Sequence, residues 1–313
     1  RLGDRAAHRV DIMGAATTSS DQHPHLARMP PIIYGTAWKK ERTVELVITA
    51  VRSGFRAIDT ACQPKHYRED LVGEALTRLA EEGVARDELW IQTKFCPYAG
   101  QDPDNLPYAW PAPLEQQVAE SVAASLANLS TSYVDCLLLH SPLPTHAETM
   151  TVWRAMEARV ASGEVRTLGV SNFYDEARFC QLCDEAAVKP CVLQNRYYAV
   201  FGYDVGLRAE CAARGMRYQS FWTLTGNPDK LRAAPVARAA AAHACTAEQA
   251  WLRFAMALGV SPLTGTTSDA HMREDLAAAE LRLSADEVGE MRRLIWRDWL
   301  VLKPGAGPCP SGP

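Results

Sequence analysis

From Pro30 onward the chain repeats one alternation: a short run apolar on both sides, then a longer amphipathic stretch. The short runs are Ile32–Tyr34, Arg56–Ile58, Leu89–Lys94, Val134–Leu139, Val165–Val170, Cys191–Gln194, Met216–Phe221 and Val260–Leu263. Strands covered on both faces need no polar side, so they read this way instead of alternating. Between them lie Thr43–Ser53, Glu69–Glu81, Leu114–Asn128, Ala147–Ala161, Asp175–Ala187, Asp204–Ala213 and Thr246–Leu258, each with helical periodicity. Thr43 is an expected N-cap, and Gly54 and Gly163 are helix stops. Further helices are expected around Asp229–His243 and Ser284–Trp299. Repeated β–α units without a strand-rich block predict an α/β fold with a parallel sheet. Eight such units predict a (β/α)8 TIM barrel with additional helices and a C-terminal extension. A doubly wound sheet is the alternative. It would want a glycine-rich fingerprint after its first strand, and Tyr34-Gly-Thr-Ala-Trp38 is not one.

One barrel domain over residues 30–300 accounts for most of the 313 residues. Residues 1–29 read as a disordered N-terminal tail and 301–313 as a flexible C-terminal tail. Met13 is a candidate start, and Met13-Gly14-Ala-Ala-Thr-Thr18 is a short match to the myristoylation pattern. A formal net charge of −4 provides no basic field for nucleic acid, and no apolar run reaches the ~18 residues of a bilayer span. The expected partner is therefore a small molecule. The nine cysteines have no framework spacing, and Cys180-Gln-Leu-Cys183 lacks a second CxxC or a zinc-finger His pair. That motif is either a redox or metal site or two thiols on neighbouring helical turns. Free thiols in this number suit the cytoplasm.

In a barrel, catalytic groups sit at the carboxyl ends of strands. Those positions hold Thr36 and Trp38, Asp59, Lys94, His140, Ser171 and Asn172, Gln194 and Asn195, and Phe221 and Trp222. Asp59, Lys94 and His140 each end an apolar run, where an unpaired charge is costly. Singly, each could cap a strand or pair with a neighbour. On three consecutive strand ends they point to one site. A Lys beside an Asp keeps its charge and can lower the pKa of a nearby phenol, and Tyr67 supplies one. Such a phenol can protonate a carbonyl oxygen as hydride reaches the carbon, with His140 orienting that oxygen. The competing use of Lys94 is a Schiff base, which needs a neutral amine and is opposed by a paired Asp59.

At this point the chain resembles the aldo-keto reductase family, from Pro31 to about Trp299. The resemblance lies in Gly54-Phe-Arg-Ala-Ile-Asp-Thr-Ala61, Val72-Gly-Glu-Ala-Leu76 and Trp90-Ile-Gln-Thr-Lys94. It continues in Tyr133-Val-Asp-Cys-Leu-Leu-Leu-His140, Gly163-Glu-Val-Arg-Thr-Leu-Gly-Val-Ser-Asn172 and Gln194-Asn195. The family reduces aldehydes and ketones with NADPH through an Asp, Tyr, Lys, His tetrad. The resemblance implies Asp59, Lys94 and His140 for three of these. The family's Tyr follows its Asp by five residues, where this chain has Pro64. The segment Cys62-Gln-Pro-Lys-His-Tyr-Arg-Glu69 reads as a small insertion. Counting back from Val72-Gly73 favours His66 as the acid, whereas chemistry favours Tyr67.

The resemblance also implies a cofactor face made by Thr36, Ser171, Asn172 and Gln194. The family's Ala-Tyr-Ser-Pro-Leu after strand seven becomes Ser220-Phe-Trp-Thr-Leu224, so Phe221 and Leu224 take that place, Phe221 stacking on the nicotinamide. Beyond strand eight the family commonly has Ile-Pro-Lys-Ser, then Arg and Glu-Asn, which grip the adenosine 2′-phosphate and adenine. Here the Lys becomes Gly265, the Arg becomes His271, and Glu274 is followed by Asp275. Gly265 and the hydroxyls of Thr266, Thr267 and Ser268 could still cradle a phosphate at the next helix N-terminus. NADP(H) is the cofactor implied by resemblance, with NAD(H) possible. Trp38 is an expected substrate wall. The long loop Phe95–Pro113 offers Tyr98 and Trp110 as further walls, unless it packs on its own aromatics. The expected function is NAD(P)H-dependent carbonyl reduction. The alternative is a catalytically weak nucleotide-binding barrel acting as a redox-sensing or regulatory subunit.

Overall fold

The protein's structure, a computed structural model, describes residues 24–302. Eight parallel strands close in sequence order, the last pairing back onto the first through Ile33↔Leu263 and Tyr34↔Thr264. They are β1 (Ile33–Gly35), β2 (Ala57–Asp59), β3 (Trp90–Phe95), β4 (Val134–Leu139), β5 (Val165–Ser171), β6 (Val192–Arg196), β7 (Arg217–Phe221) and β8 (Val260–Thr264). The first six helices are α1 (Thr43–Ser53), α2 (Glu69–Glu81), α3 (Leu114–Asn128), α4 (His146–Ala161), α5 (Glu176–Glu185) and α6 (Val205–Ala213). The remaining ones are α7 (Pro228–Leu231), α8 (Ala234–Ala242), α9 (Ala247–Ala257), α10 (Asp269–Ala277) and α11 (Ala285–Leu302).

The strands are apolar throughout because each is covered twice. β3 and β4 are buried at every residue. Outward residues such as Ile91, Leu137 and Val170 join helix residues Val47, Val72, Val122 and Trp153 in the main core. Inward residues Ile33, Ala57, Trp90, Cys136, Leu138 and Val192 form a second, smaller cluster with Leu26 and Met29. That inner cluster fills only the barrel floor, because higher up the interior is polar. Helix starts and stops follow local chemistry. Thr145 with Glu148, and Thr246 with Gln249, make reciprocal capping boxes at α4 and α9. Gly54 ends α1 at φ 121°, a conformation suited to glycine. Gly73 lets α2 cross the end of α3, where a Cβ would lie 1.9 Å from the Asn128 carbonyl.

Three expectations change. Residues 24–29 are not tail: Pro24–Arg28 form a 3-10 helix that brings Leu26 and Met29 under the barrel as its floor. The rest of the expected N-terminal tail, with Met13 and its motif, lies outside the described residues, as does the C-terminal tail beyond Leu302. The helix expected over Asp229–His243 is split into α7 and α8, since Pro235 lacks an N–H and can sit only in a first helical turn. Thr43 is the first residue of α1 and not its cap. A 3-10 turn over Lys40–Arg42 precedes it, and its hydroxyl donates to the Lys40 carbonyl at 2.7 Å. Cys180 and Cys183 both lie on α5, Cys183 buried. Among the described residues no group of three or more His, Cys, Asp or Glu could hold a metal ion, and no helix is long and apolar enough to cross a membrane.

Candidate active site

The barrel's polar interior rises from the floor as a ladder. Gln219 on β7 accepts from the amides of Gln92 on β3 and Gln194 on β6, at 2.8 Å each. It donates back to Gln92 at 2.9 Å. Gln92 and Gln194 also donate to the same Asp59 oxygen, at 2.7 and 2.9 Å. Above them the Lys94 ammonium meets both Asp59 oxygens and the Thr60 carbonyl, all at 2.7 Å. Its three protons thus have three acceptors. Lys94 and Asp59 are 1% and 2% exposed, so the pair stands where desolvation is severe. Such a pair is tolerated only with good geometry and satisfied lone pairs, which the two glutamines provide. Gln194, expected on the cofactor face, spends its amide protons on Asp59 and Gln219.

The inserted segment before α2 presents two candidate acids, and the structure separates them. The Tyr67 ring lies with its centroid 5.2 Å from Lys94 Nζ and 6.1 Å from the His140 ring, edge to face. His66 instead lies against the Trp38 indole, at 4.0 Å between centroids. Burial, with the Asp59 charge behind it, raises the Tyr67 phenol above its ordinary value. The lowering expected from the neighbouring Lys does not prevail, because burial outweighs that charge and the Asp59 carboxylate opposes it. Burial, together with the Lys94 charge and His66, pushes His140 down to about 3, so its imidazole is neutral across the physiological range. His140 Nδ1 is buried without a partner among the described residues.

Around these groups the strand ends are tied to one another. Thr36 donates through its hydroxyl to the Asp59 carbonyl at 2.9 Å, and Ser171 to the Gln194 carbonyl at 2.8 Å. Asn172, left-handed at φ 52°, donates to the His140 carbonyl at 2.9 Å. Asn195 faces away from the interior and binds the Phe173 backbone and Asp204. Phe221 ends β7, Leu224 packs against the main core, and Trp222 is half exposed. The Arg196 guanidinium lies over both the Phe221 and Trp222 rings, at 5.7 and 4.7 Å, and nothing in the sequence marked it.

Trp38 is exposed at the mouth. Tyr98 and Trp110 stack on each other at 4.0 Å, and Tyr108 donates to the Cys96 carbonyl, so the long loop packs largely on its own aromatics. A cavity of about 500 Å³ opens beside Tyr67, lined among others by Cys62, Gln63, Glu69, Asn105 and Pro107. Tyr98 and Trp110 do not line it.

At the β8 end, Ser268 caps α10 by accepting from the His271 amide, and the His271 side chain is exposed. Glu274 is half-buried; Asp275 is buried, which raises its carboxyl to about 6. Tyr34 donates to the Thr266 carbonyl at 3.0 Å, tying this loop to β1. Lys39, from the β1 loop, donates to the Gly265 carbonyl. Sequence reasoning missed that contact, because nothing in the Trp38-Lys39-Lys40 run says which loop its side chains meet.

A closed eight-stranded barrel with a buried Lys–Asp pair, a phenol and a neutral imidazole at its carboxyl end defines a site suited to carbonyl chemistry. The sequence model described as the Aldo/keto reductase family matches residues 31–226, more than half of the chain. The protein belongs to the aldo/keto reductase family and is an aldo-keto reductase. It is 30% identical over 283 residues to a methylglyoxal reductase of Salmonella typhimurium, covering 87% of this chain and 94% of that protein. It is 29% identical over 257 residues to 2,5-diketo-D-gluconic acid reductase B of a Corynebacterium species, covering 81% and 86%. The crystal structure of a Bombyx mori aldo-keto reductase in complex with NADP shares the fold, with a TM-score of 0.72 and 21% identity, covering 85% of this chain and 89% of that one.

Proposed function

We propose that this reductase converts small aldehydes or ketones to alcohols with Tyr67 as the proton donor and NADP(H) as the cofactor. The observation that carries the reading is the Tyr67 ring lying beside both Lys94 and His140 while His66 is occupied by Trp38. When bound, the cofactor supplies the hydride that adds to the carbonyl carbon. Tyr67 gives its O–H proton to the carbonyl oxygen. Burial keeps the phenol protonated before the reaction, and the cost of the phenolate it becomes falls on the Lys94 charge beside its ring. The Lys94 cation stabilises the phenolate left behind, which regains a proton from solvent. His140, neutral and with one buried ring nitrogen unpartnered, orients the carbonyl oxygen through a hydrogen bond.

The residues at the mouth fit a dinucleotide. Thr36, Ser171 and Asn172 stand at the strand ends, and Phe221 offers a ring for stacking. Gly265, Thr266, Thr267, His271, Glu274 and Asp275, between the end of β8 and α10, are the groups this reading assigns to the adenosine end. The NADP bound by the Bombyx mori protein supports this choice. The names of the bacterial relatives support small oxygenated carbonyl compounds as the substrate class, with Trp38 as a wall. The eight described cysteines are all free, which suits a cytoplasmic enzyme. The Tyr67 ring and the His140 imidazole beside the buried Lys94–Asp59 pair favour turnover over a regulatory barrel.

The test follows NADPH consumption with methylglyoxal and 2,5-diketo-D-gluconate. Tyr67→Phe is expected to cut turnover by about 10²–10⁴-fold, the usual worth of a positioned proton donor, with NADPH affinity unchanged. His66→Gln is expected to stay within a few-fold of the parent. The reverse pattern would overturn the assignment.

A further inference from the structure

We propose that Lys39, in the loop after β1, is the cation that recognises the adenosine 2′-phosphate. This inference rests on the reading of the mouth as an NADP(H) site.

Three observations carry it. First, the Lys39 side chain crosses from β1 to β8, and its ammonium donates to the Gly265 carbonyl. A Cβ built on Gly265 would meet that nitrogen at 3.4 Å and the Gly35 carbonyl at 3.6 Å. Gly265 has no left-handed φ, so the backbone does not demand glycine there. A Cβ there would make only ordinary contact with that nitrogen, so the distance places the ammonium directly over residue 265.

Second, Lys39 is a cation without its counter-charge. It is half-buried, and among the described residues no carboxylate forms an ion pair with it. Burial and the nearby Arg42 both lower its pKa, each working against the ammonium. Arg42 is itself paired with Glu45 at 3.1 Å. A dianionic group placed beside Lys39 would relieve both effects.

Third, the surroundings suit a phosphate monoester. Thr266, Thr267 and Ser268 supply hydroxyls between Gly265 and the start of α10. The Tyr34 bond to Thr266 holds that loop against β1, and the Thr266 hydroxyl accepts from the Ser268 amide at 3.1 Å. A charge that sequence comparison finds missing from position 265 is thus returned to the same spot from the opposite side of the β1–β8 seam.

Calorimetric titration of the wild-type protein and of Lys39→Met with NADPH, NADH, 2′,5′-ADP and 5′-AMP tests the assignment. Lys39→Met is expected to weaken NADPH and 2′,5′-ADP by about tenfold or more, one charge-assisted contact, and to leave NADH and 5′-AMP within about twofold. Lys39→Arg should retain most of the preference. Equal weakening of NADPH and NADH would mean that Lys39 touches the shared pyrophosphate, and would overturn the inference. Wild-type binding that Lys39→Met leaves unchanged would overturn it too, while leaving the cofactor reading intact. A wild-type protein that binds neither NADPH nor 2′,5′-ADP would sink the cofactor reading and this inference together.

Discussion

The two halves of the barrel mouth are built on different principles. At β2 and β3, the charged groups are fully buried and multiply bonded: Lys94 has three acceptors, and Asp59 accepts from two glutamines besides. At β8 and β1, the groups sit on loops. Lys39 is half-buried with a carbonyl as its partner, His271 is exposed, and the hydroxyls of Thr266, Thr267 and Ser268 line a helix start. Chemistry that transfers a proton needs groups fixed in advance, because misplacement is felt steeply in rate. Holding a phosphate needs charge nearby, and charge can come from any loop that reaches. A site of the first kind resists substitution, and one of the second kind tolerates relocation of its parts.

The sharpest way to break that comparison is at the rigid half. Lys94→Met should abolish activity and destabilise the fold by about 3–5 kcal/mol, since it leaves the Asp59 carboxylate buried and unpaired. Activity assays with urea denaturation would measure both. Wild-type turnover in that variant would contradict the whole catalytic reading.

A smaller effect is expected lower in the ladder. Gln219→Leu strips acceptors from Gln92 and Gln194 and should cost about 1–3 kcal/mol for each amide proton left unsatisfied. Affinity for NADPH should barely move, because this layer lies beneath Asp59. A denaturation midpoint indistinguishable from the parent would show that water or repacking replaces the ladder.

The smallest effect belongs to the loop half. The buried Asp275 carboxyl is raised to about 6, so the folded state holds its proton more tightly than the unfolded chain. Its contribution to stability is complete below the ordinary aspartate range and is lost as pH rises through about 6. Asp204, buried on Asn195 and Tyr218 and also raised to about 6, acts in the same direction. Asp275→Asn should therefore stabilise the protein at pH 8 and do little at pH 4. Melting curves at the two pH values would show it, and a variant that gains more at pH 4 would contradict the sign.

Much of this was legible before any coordinates. The eight apolar runs mark the eight strands to within one or two residues, because burial on both faces leaves a purely local signature. Thr43–Ser53, Glu69–Glu81 and Leu114–Asn128 were readable end to end from their periodicity. Asp59, Lys94 and His140 stood out because charge at the end of an apolar run is conspicuous. The floor at Leu26 and Met29 was missed, since a 3-10 helix of five residues carries too little periodicity to separate it from a tail. Gln219 was missed for another reason. A buried polar residue inside a strand looks like a solvent-facing one until its partners are known.

The sequence by itself determined the barrel, its strand order and the choice of Asp59, Lys94 and His140 at the strand ends. These follow from patterns that each segment carries alone. Only the tertiary structure decided that Tyr67 rather than His66 turns toward Lys94, one residue apart in an insertion with no periodicity to read. Only it brought Lys39 to Gly265, 226 residues away along the chain. Barrel closure sets β1 beside β8, and which loop side chains then meet across that seam depends on shapes and distances that neither segment encodes locally.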